Sequence, residues 1–292
     1  MFAGTHTALI TPFRDGQVDY EGFRRLIEAQ IEGGVDGIVP VGTTGESPTL
    51  SHDEHRAVIK FAVETAAGRI KVMGGTGSNS TEEAVALTQD AEKAGADGAL
   101  VVAPYYNKPS PEGLYRHFRA IAEATRLPIT LYSIPGRCGV EIGIPVVARL
   151  AADCPNIVAI KEAGGSVERV SQLRQAVPES FQIISGDDSL TLPFMSVGAV
   201  GVISVASNVA PTLVCELVRT AREGRMTHAE PLHRRLYPLF KNLFIESNPA
   251  PAKYALSLIM GLSPELRLPL VEMSEENRKI VRDTLAGIGL IP

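Results

Sequence analysis

The chain has 292 residues, and its 28 basic and 33 acidic side chains give a formal charge of −5, which makes nucleic acid a poor candidate ligand and favours small molecules. Hydrophobic residues make up 45% of the chain and charged residues 21%, a balance that excludes disordered, collagen-like and coiled-coil proteins. The length fits either two domains of about 150 residues or one fold that runs long as a single unit, such as a (β/α) barrel.

The amino terminus, the apolar runs and the cysteines indicate the cellular compartment in which the protein is expected. The amino terminus has no signal-peptide pattern, and no apolar run approaches the ~18 residues that a membrane span needs. Cys138, Cys154 and Cys215 form no CxxC pair, as is typical of a reducing compartment. We therefore expect a cytosolic protein with neither a disulfide framework nor a zinc ribbon.

Short β-branched or apolar runs alternate with helical patterns along the first two thirds of the chain. Eight such runs are centred near Ala8, Ile38, Val72, Leu100, Thr130, Val158, Ile183 and Val202. The clearest amphipathic helical patterns between them cover residues 20–31, 53–66, 81–93 and 112–124. Eight βα repeats of about 25–30 residues predict an α/β fold of the (β/α)8 TIM-barrel type, because a doubly wound sheet usually has about five or six strands.

The strand signal ends at Asn208. Residues 208–292 contain only helical patterns, interrupted by Pro249, Pro251, Pro264 and Pro269. The sequence therefore predicts a catalytic barrel over residues 1–207 and a carboxyl-terminal helical extension over residues 208–292 that packs on it.

Polar residues follow the apolar runs at the points where a barrel places its active site, the carboxyl ends of its strands. In chain order these residues are Thr43, Thr44, Glu46, Thr76, Ser78, Asn79, Tyr105, Tyr106, Asn107, Tyr132, Ser133, Arg137, Lys161, Glu162, Ser185, Asp187, Asp188, Ser204, Ser207 and Asn208. We expect these groups to converge on one mouth of the barrel.

Lys161 and Tyr132 are the residues best suited to covalent chemistry. Lys161 closes the apolar run NIVAIK, where desolvation lowers the pKa of an ammonium and exposes an amine that forms Schiff bases with ketones. Tyr132 ends the preceding strand, and a phenol beside an imine can shuttle protons. The alternatives are a lysine that extends from the mouth into solvent and a tyrosine that belongs to the core.

Two loops could recognise carboxylates. The turn GTTGES at residues 42–47 supplies backbone amides and hydroxyls before a helix. Arg137, in the loop IPGRCG, offers a planar fork for a second carboxylate. The alternatives are an ordinary βα loop and a surface arginine.

The sequence gives little support for a metal or phosphate site. His52 and His55 in SHDEH lack the HExxH spacing of a zinc site. Asp187 and Asp188 in SGDDS are more typical of helix amino-terminal caps than of metal ligands, and their charge disfavours a phosphorylated substrate. We expect no metal and no organic cofactor.

Several segments together resemble the pyruvate-dependent class I aldolases, the family that contains dihydrodipicolinate synthases and N-acetylneuraminate lyases. The resemblance covers nearly the whole chain and is carried by GTTGES at Gly42, PYYNKPS at Pro104, LYSIPGR at Leu131, IKEAGG at Ile160, SGDD at Ser185 and GVISVASN at Gly201. It departs from the usual pattern at Ser133, where many members have Asn, and at Ser247, where Pro usually precedes the NPxP stretch.

The resemblance implies a catalytic role for four residues. Lys161 corresponds to the imine-forming lysine, Tyr132 to the proton donor and acceptor, and Thr43 to its relay partner. Tyr106 would complete the relay from the neighbouring subunit, which implies a homo-oligomer of at least two chains and, as is common in the family, a tetramer.

The resemblance also implies the substrates. Thr44 and the backbone at Ile203 would hold the pyruvate carboxylate and imine, with Gly186 nearby, and Arg137 would hold the carboxylate of aspartate semialdehyde. Arginine at this place is typical of the synthase members. The alternatives are an aldolase that cleaves N-acetylneuraminate or 2-keto-3-deoxygluconate and a non-catalytic sensor of pyruvate or lysine.

A second site follows from the same resemblance. Six residues match the positions that bind L-lysine at a dimer interface in feedback-inhibited members: Ser47, His52, His55, Asn79, Glu83 and Tyr105. We expect L-lysine to inhibit this protein, and the alternative is that all six are ordinary loop and helix-start residues.

Overall fold

The computed structural model describes all 292 residues and contains a closed barrel of eight parallel strands. With the two strands of a small hairpin, the strands are β1 (Gly4–Ala8), β2 (Phe13–Arg14), β3 (Gln17–Val18), β4 (Gly37–Val39), β5 (Lys71–Gly75), β6 (Gly98–Val102), β7 (Ile129–Ser133), β8 (Ile157–Glu162), β9 (Gln182–Ser185) and β10 (Gly201–Ser204). The barrel closes because β1 pairs with both β4 and β10. Each predicted apolar run lies within one barrel strand, so the predicted fold is confirmed.

Twelve α-helices surround and extend the barrel. They are α1 (Tyr20–Glu32), α2 (His52–Ala66), α3 (Thr81–Lys93), α4 (Pro111–Glu123), α5 (Pro135–Cys138), α6 (Ile144–Asp153), α7 (Val167–Ala176), α8 (Thr191–Met195), α9 (Pro211–Arg222), α10 (Met226–Asn242), α11 (Ala250–Met260) and α12 (Glu275–Gly287). The four helices predicted from periodicity match α1 to α4 to within one residue at each end. Serine caps explain two of these starts, since Ser51 and Ser80 each accept a hydrogen bond from the backbone N–H of the third helical residue.

The hairpin of β2 and β3 was not predicted. Its two-residue turn is Asp15-Gly16, and both residues have positive φ, 53° and 76°, as a type I′ turn requires. The Gly16 N–H donates to a carboxylate oxygen of Glu265 at 2.7 Å, so the hairpin is tied to the carboxyl-terminal part of the chain.

The carboxyl-terminal region is helical, as predicted, but its first helix belongs with the barrel. The predicted boundary between residues 207 and 208 falls just before α9, and α9 packs against β1 and β10. This is the position of the eighth helix of a (β/α)8 barrel. We therefore propose that the barrel unit includes α9 and that the extension consists of α10 to α12.

Two hydrophobic cores hold the barrel together. The larger one lies between the strands and the surrounding helices. The smaller one fills the barrel itself and consists of Phe2, Ala8, Val39, Met73, Leu100, Tyr132, Ala159, Ile184 and Ile203. Tyr132 and Ile203, two of the predicted site residues, thus point inward from their strands, as residues at the mouth of a filled barrel must.

None of the helices combines the length and the apolar character that a membrane span requires. The three cysteines are free thiols, with Cys138 and Cys154 buried and Cys215 half-buried.

Candidate active site

Lys161 and Tyr132 lie side by side at the carboxyl ends of adjacent strands. They are paired residues in the register of β7 and β8. The Lys161 Nζ lies 4.1 Å from the centroid of the Tyr132 ring, and both side chains are almost completely buried. The predicted nucleophile and the predicted proton carrier therefore meet, and neither side chain extends into solvent.

Burial changes the acidity of the Lys161 ammonium. Desolvation is the main effect and lowers its pKa to about 7, with the Arg137 charge acting in the same direction and the Asp188 carboxylate opposing both. The lowered pKa increases the share of neutral amine near neutral pH. This is the form that attacks a carbonyl carbon.

Gly186 provides the space that the Lys161 side chain occupies. A Cβ on Gly186 would lie 2.8 Å from the Ala163 Cβ and 3.0 and 3.1 Å from the Cε and Cγ of Lys161, so a side chain here would force its neighbours, the lysine among them, to shift. The Gly186 N–H donates to the Glu162 carbonyl oxygen at 2.8 Å, which fixes the backbone here. The absence of a side chain at this position therefore allows the amine to adopt its orientation.

Asp187 and Asp188 have separate roles. Asp187 caps the short turn after β9 by accepting from the Ser189 N–H at 2.8 Å, as the capping interpretation predicts. Asp188 is buried and accepts from the Ser204 hydroxyl and from the backbone N–H groups of Val205 and Ala206 at 3.0 and 2.9 Å. Its effect on the charge of Lys161 was not foreseen from the sequence. No cluster of three or more His, Cys, Asp or Glu side chains is arranged to hold a metal ion.

The Tyr132 phenol is held in its protonated form. Desolvation raises its pKa well above the usual value, while Arg137 and the side chain of Thr43 act in the opposite direction. Thr43 lines the same cavity as the phenol, and its role as a relay partner stays a prediction. A buried, protonated phenol beside the amine can donate a proton to a leaving hydroxide.

Backbone strain lies just before the turn at residues 42–47 and within it. Val41 and Glu46 have φ values of 52° and 54°, in the left-handed region that non-glycine residues rarely adopt. The turn is closed by backbone bonds from Gly45 N–H to Gly42 O at 3.0 Å and from Glu46 N–H to Thr43 O at 3.1 Å. Such strain is typical of functional loops, because only surrounding contacts can maintain it.

Arg137 projects from α5 at the mouth of the barrel and is exposed. The loop that carries it is held to β7 through Ser133, whose buried hydroxyl oxygen accepts from the Ile142 N–H at 3.3 Å. Ser133, one of the two departures from the family pattern, thus has a clear structural place. The Arg137 guanidinium forms no hydrogen bond or ion pair within the chain.

One cavity of about 430 Å³ joins the two predicted sites. The predicted residues among its lining are Thr43, Tyr132, Arg137, Ser47, His52, His55, Glu83 and Tyr105. The predicted residues outside this lining are Lys161, Thr44, Ile203, Gly186, Asn79 and Tyr106. Thr43, Tyr132 and Arg137 therefore share a continuous space with most of the expected lysine site within one chain.

Tyr106 lies apart from the other predicted catalytic residues. Its side chain is 88% exposed and does not line the cavity, and its φ of 73° lies in the left-handed region. Tyr106 therefore does not contribute to the cavity at the barrel mouth of its own chain.

A polar cluster lies at the far end of the cavity. The His52 Nε2 is 2.8 Å from a carboxylate oxygen of Glu83, and the Ser78 hydroxyl donates to the other oxygen. Hydrogen bonding from Ser78 is the main reason that the pKa of Glu83 is lowered. His55 Nε2 is 2.9 Å from the Gly75 carbonyl oxygen. The cluster thus presents an ionised carboxylate to the cavity.

Asn248 was missed by the sequence analysis. It lies between α10 and α11, and its Nδ2 donates to the Thr44 Oγ1 at 2.9 Å. The only sequence signal was the NPxP stretch that it begins, and nothing local indicates a contact with residue 44.

Comparisons with known proteins agree on one family. Residues 1–288 match the sequence profile of the dihydrodipicolinate synthetase family. The chain is 53% identical over 290 residues to the 4-hydroxy-tetrahydrodipicolinate synthase of Aquifex aeolicus, with 99% of each chain covered.

Two solved structures are similar over nearly their whole length. One is the chloride-inhibited dihydrodipicolinate synthase of Acinetobacter baumannii complexed with pyruvate, with 44% identity, 100% of each chain covered and a TM-score of 0.97. The other is the enzyme of Cyanidioschyzon merolae with lysine bound, with 41% identity, 99% of each chain covered and a TM-score of 0.96.

Proposed function

The chain belongs to the dihydrodipicolinate synthetase family, and from this premise we propose that it condenses pyruvate with L-aspartate 4-semialdehyde through a Schiff base on Lys161. It is a lyase of the class I aldolase type, and its activity is that of a 4-hydroxy-tetrahydrodipicolinate synthase, in lysine biosynthesis through diaminopimelate. The observation that carries the proposed chemistry is the buried amine of Lys161 beside the buried phenol of Tyr132.

The proposed reaction begins with covalent capture of pyruvate. The neutral Lys161 amine attacks the ketone carbon, and the resulting carbinolamine loses water to give a protonated imine. Tyr132, with Thr43 as its relay partner, donates the proton that the departing hydroxide needs. The imine then loses a proton from the methyl group and becomes an enamine.

The second half of the reaction forms the carbon–carbon bond. The enamine carbon attacks the aldehyde carbon of the second substrate, whose oxygen takes up a proton. The amine of that substrate then attacks the imine carbon, closes a six-membered ring and displaces Lys161 as a free amine. The cycle leaves the lysine unchanged and requires only proton transfers from the chain.

Arg137 is proposed to select the second substrate. Its exposed guanidinium lies at the cavity that Tyr132 also lines and can pair with the carboxylate of aspartate semialdehyde. Arg137→Ala should raise the KM for the aldehyde by about 10- to 100-fold, the scale of a lost hydrogen bond to a charged group. Steady-state kinetics with each substrate varied in turn measure this change.

The same kinetics separate the proposed function from the sugar-acid alternative. Wild-type protein should turn over pyruvate with aspartate semialdehyde and should not release pyruvate from N-acetylneuraminate or 2-keto-3-deoxygluconate. Arg137→Lys is the matched control, because it keeps the charge and loses the planar fork. Faster cleavage of a sugar acid than condensation with the semialdehyde would contradict the proposal.

We propose that the chain acts as a homo-oligomer in which Tyr106 enters the site of a neighbouring subunit. The support is the 88% exposure of this side chain. A tyrosine that is not buried in the site of its own chain can enter the site of a neighbouring chain. A tetramer, common in the family, fits this arrangement.

L-lysine is proposed to bind at the polar cluster of Ser47, His52, His55, Asn79, Glu83 and Tyr105 and to inhibit the enzyme. The ionised Glu83 carboxylate can pair with an ammonium group, and a lysine-bound structure exists for the Cyanidioschyzon merolae relative. Saturating L-lysine should slow condensation and raise the melting temperature by about 3 °C or more.

Two controls make this prediction specific. Glu83→Gln should abolish the response to L-lysine, because it removes the charge that meets the ammonium. Norleucine, which lacks the side-chain amine, should have no effect on wild-type protein. An unchanged rate and melting temperature at saturating L-lysine would show that the cluster is not a lysine site.

A further inference from the structure

The carboxyl-terminal extension reaches the turn at residues 42–47 through a buried hydrogen bond. The Nδ2 of Asn248 donates to the Oγ1 of Thr44 at 2.9 Å, across 204 residues of sequence. Asn248 is 5% exposed and Thr44 is 4% exposed. A side chain outside the barrel is therefore in direct contact with Thr44, the residue to which the family resemblance assigns the pyruvate carboxylate.

This contact determines what the Thr44 hydroxyl can do. A threonine hydroxyl has one hydrogen to donate and two lone pairs to accept with. The amide of Asn248 occupies a lone pair, and the hydroxyl donates to no group of the chain. Its hydrogen is therefore available to an acceptor such as a carboxylate oxygen.

The amide itself is oriented by the same bond. The Oδ1 of Asn248 is buried and receives no hydrogen bond from the chain, so the bond to Thr44 is the only one that its side chain makes. An asparagine that makes one buried hydrogen bond, to one hydroxyl, is suited to setting the direction of that hydroxyl.

The extension also fixes the backbone of the turn. Glu46, in its left-handed conformation, forms a completely buried ion pair with Lys253 of α11. The other oxygen of the Glu46 carboxylate accepts from the Arg267 backbone N–H at 3.1 Å, and Lys253 Nζ donates to the Glu265 carbonyl oxygen at 2.8 Å. Thr44 thus lies in a turn that residues of the extension hold rigidly.

We propose that Asn248 is a positioning residue for pyruvate, which keeps the Thr44 hydroxyl as a hydrogen-bond donor toward the substrate carboxylate. The inference rests on the proposed function and extends it, because it makes the extension part of the pyruvate site. Asn248 acts through Thr44 and not on the reacting atoms.

Trapping with borohydride at increasing pyruvate concentrations tests the proposal. Asn248→Ala should raise the pyruvate concentration for half-maximal labelling of Lys161 by about tenfold, at the low end of the range for a hydrogen bond to a charged group. Labelling at saturating pyruvate should reach the wild-type level. Asn248→Asp should bind pyruvate more weakly still, because a carboxylate accepts the Thr44 hydrogen and repels the substrate charge.

A double-mutant cycle with Thr44→Val separates positioning from a general structural role. Once the Thr44 hydroxyl is absent, adding Asn248→Ala should change half-maximal labelling by less than about twofold, since the two residues act as one unit. Trapping of acetone, which has no carboxylate, should be equally efficient in wild-type protein and Asn248→Ala. Additive effects, or an equal loss with acetone, would overturn the inference.

The outcomes also distinguish this inference from the proposed function. If wild-type protein is labelled by pyruvate at Lys161 and the Asn248 variants give wild-type half-saturation, the positioning role alone is wrong. If wild-type protein is not labelled, the Schiff-base mechanism fails and the inference fails with it. A wild-type-like Asn248→Asp would show that the amide accepts from Thr44, which also overturns the inference.

Discussion

Lys161→Ala is expected to abolish borohydride trapping of pyruvate and to lower turnover at least roughly 1,000-fold, on the scale seen when other enzymes lose a covalent nucleophile. The physical reason is that no other amine combines a lowered pKa of about 7 with a position against the Tyr132 ring. Peptide mass spectrometry after reduction should place the label on Lys161 alone.

Lys253 is the internal control for this experiment. It is also buried, and desolvation lowers its pKa to about 8. Its ammonium, however, is paired with Glu46 and bonded to a carbonyl oxygen, so it is not free to attack a ketone. Labelling of Lys253, or persistent labelling of the Lys161→Ala variant, would refute the assignment.

The pH dependence of trapping should follow the ionisation of Lys161. The neutral amine is the nucleophile, so the second-order rate of imine formation should rise with pH up to about 7 and level off above about pH 8. Below pH 7 the rate should fall about tenfold per pH unit, because the protonated fraction increases by that factor. A midpoint near the ordinary lysine pKa of about 10.4 would contradict the desolvation argument.

Tyr132→Phe is expected to reduce turnover by about 100- to 10,000-fold, the range for loss of a general acid or base. The substitution keeps the ring that lies over the Lys161 Nζ and removes only the hydroxyl. Trapping with pyruvate should therefore still label Lys161, but more slowly, because the departing hydroxide loses its proton donor. Turnover and the rate of labelling are the two quantities to measure.

Tyr237→Phe provides the matched control. Tyr237 is half-exposed on α10, outside the lining of the cavity, so this variant should behave as the wild type. Wild-type turnover of Tyr132→Phe would show that the phenol has no role in the mechanism. Complete loss of Lys161 labelling in this variant would indicate that the position of the ring had changed.

The sequence was most informative where a local pattern carries the signal. Short β-branched or apolar runs separated by amphipathic segments indicate alternating strands and helices, and the centres of all eight runs lie in barrel strands. The end of a strand is also a local feature, so Lys161 and Tyr132 could be assigned to one mouth before their distance was known. The Asp15-Gly16 hairpin had an equally local signal, and it was overlooked.

Other features could not be predicted, because they depend on contacts between distant parts of the chain. The charge of Asp188 near Lys161 and the steric requirement for Gly186 arise from how β9 packs against β8. The placement of α9 against β1 likewise depends on the closure of the barrel. No local pattern encodes these contacts.

The sequence by itself determined the fold and the family and predicted the main reacting residues, because hydrophobic periodicity and several matched motifs are properties of short segments. The tertiary structure alone decided that Lys161 Nζ lies 4.1 Å from the Tyr132 ring and that one cavity joins the two predicted sites. It also decided that Asn248 reaches Thr44 across 204 residues. Such contacts follow from the packing of whole elements, in which the burial of apolar faces brings polar groups from distant segments together.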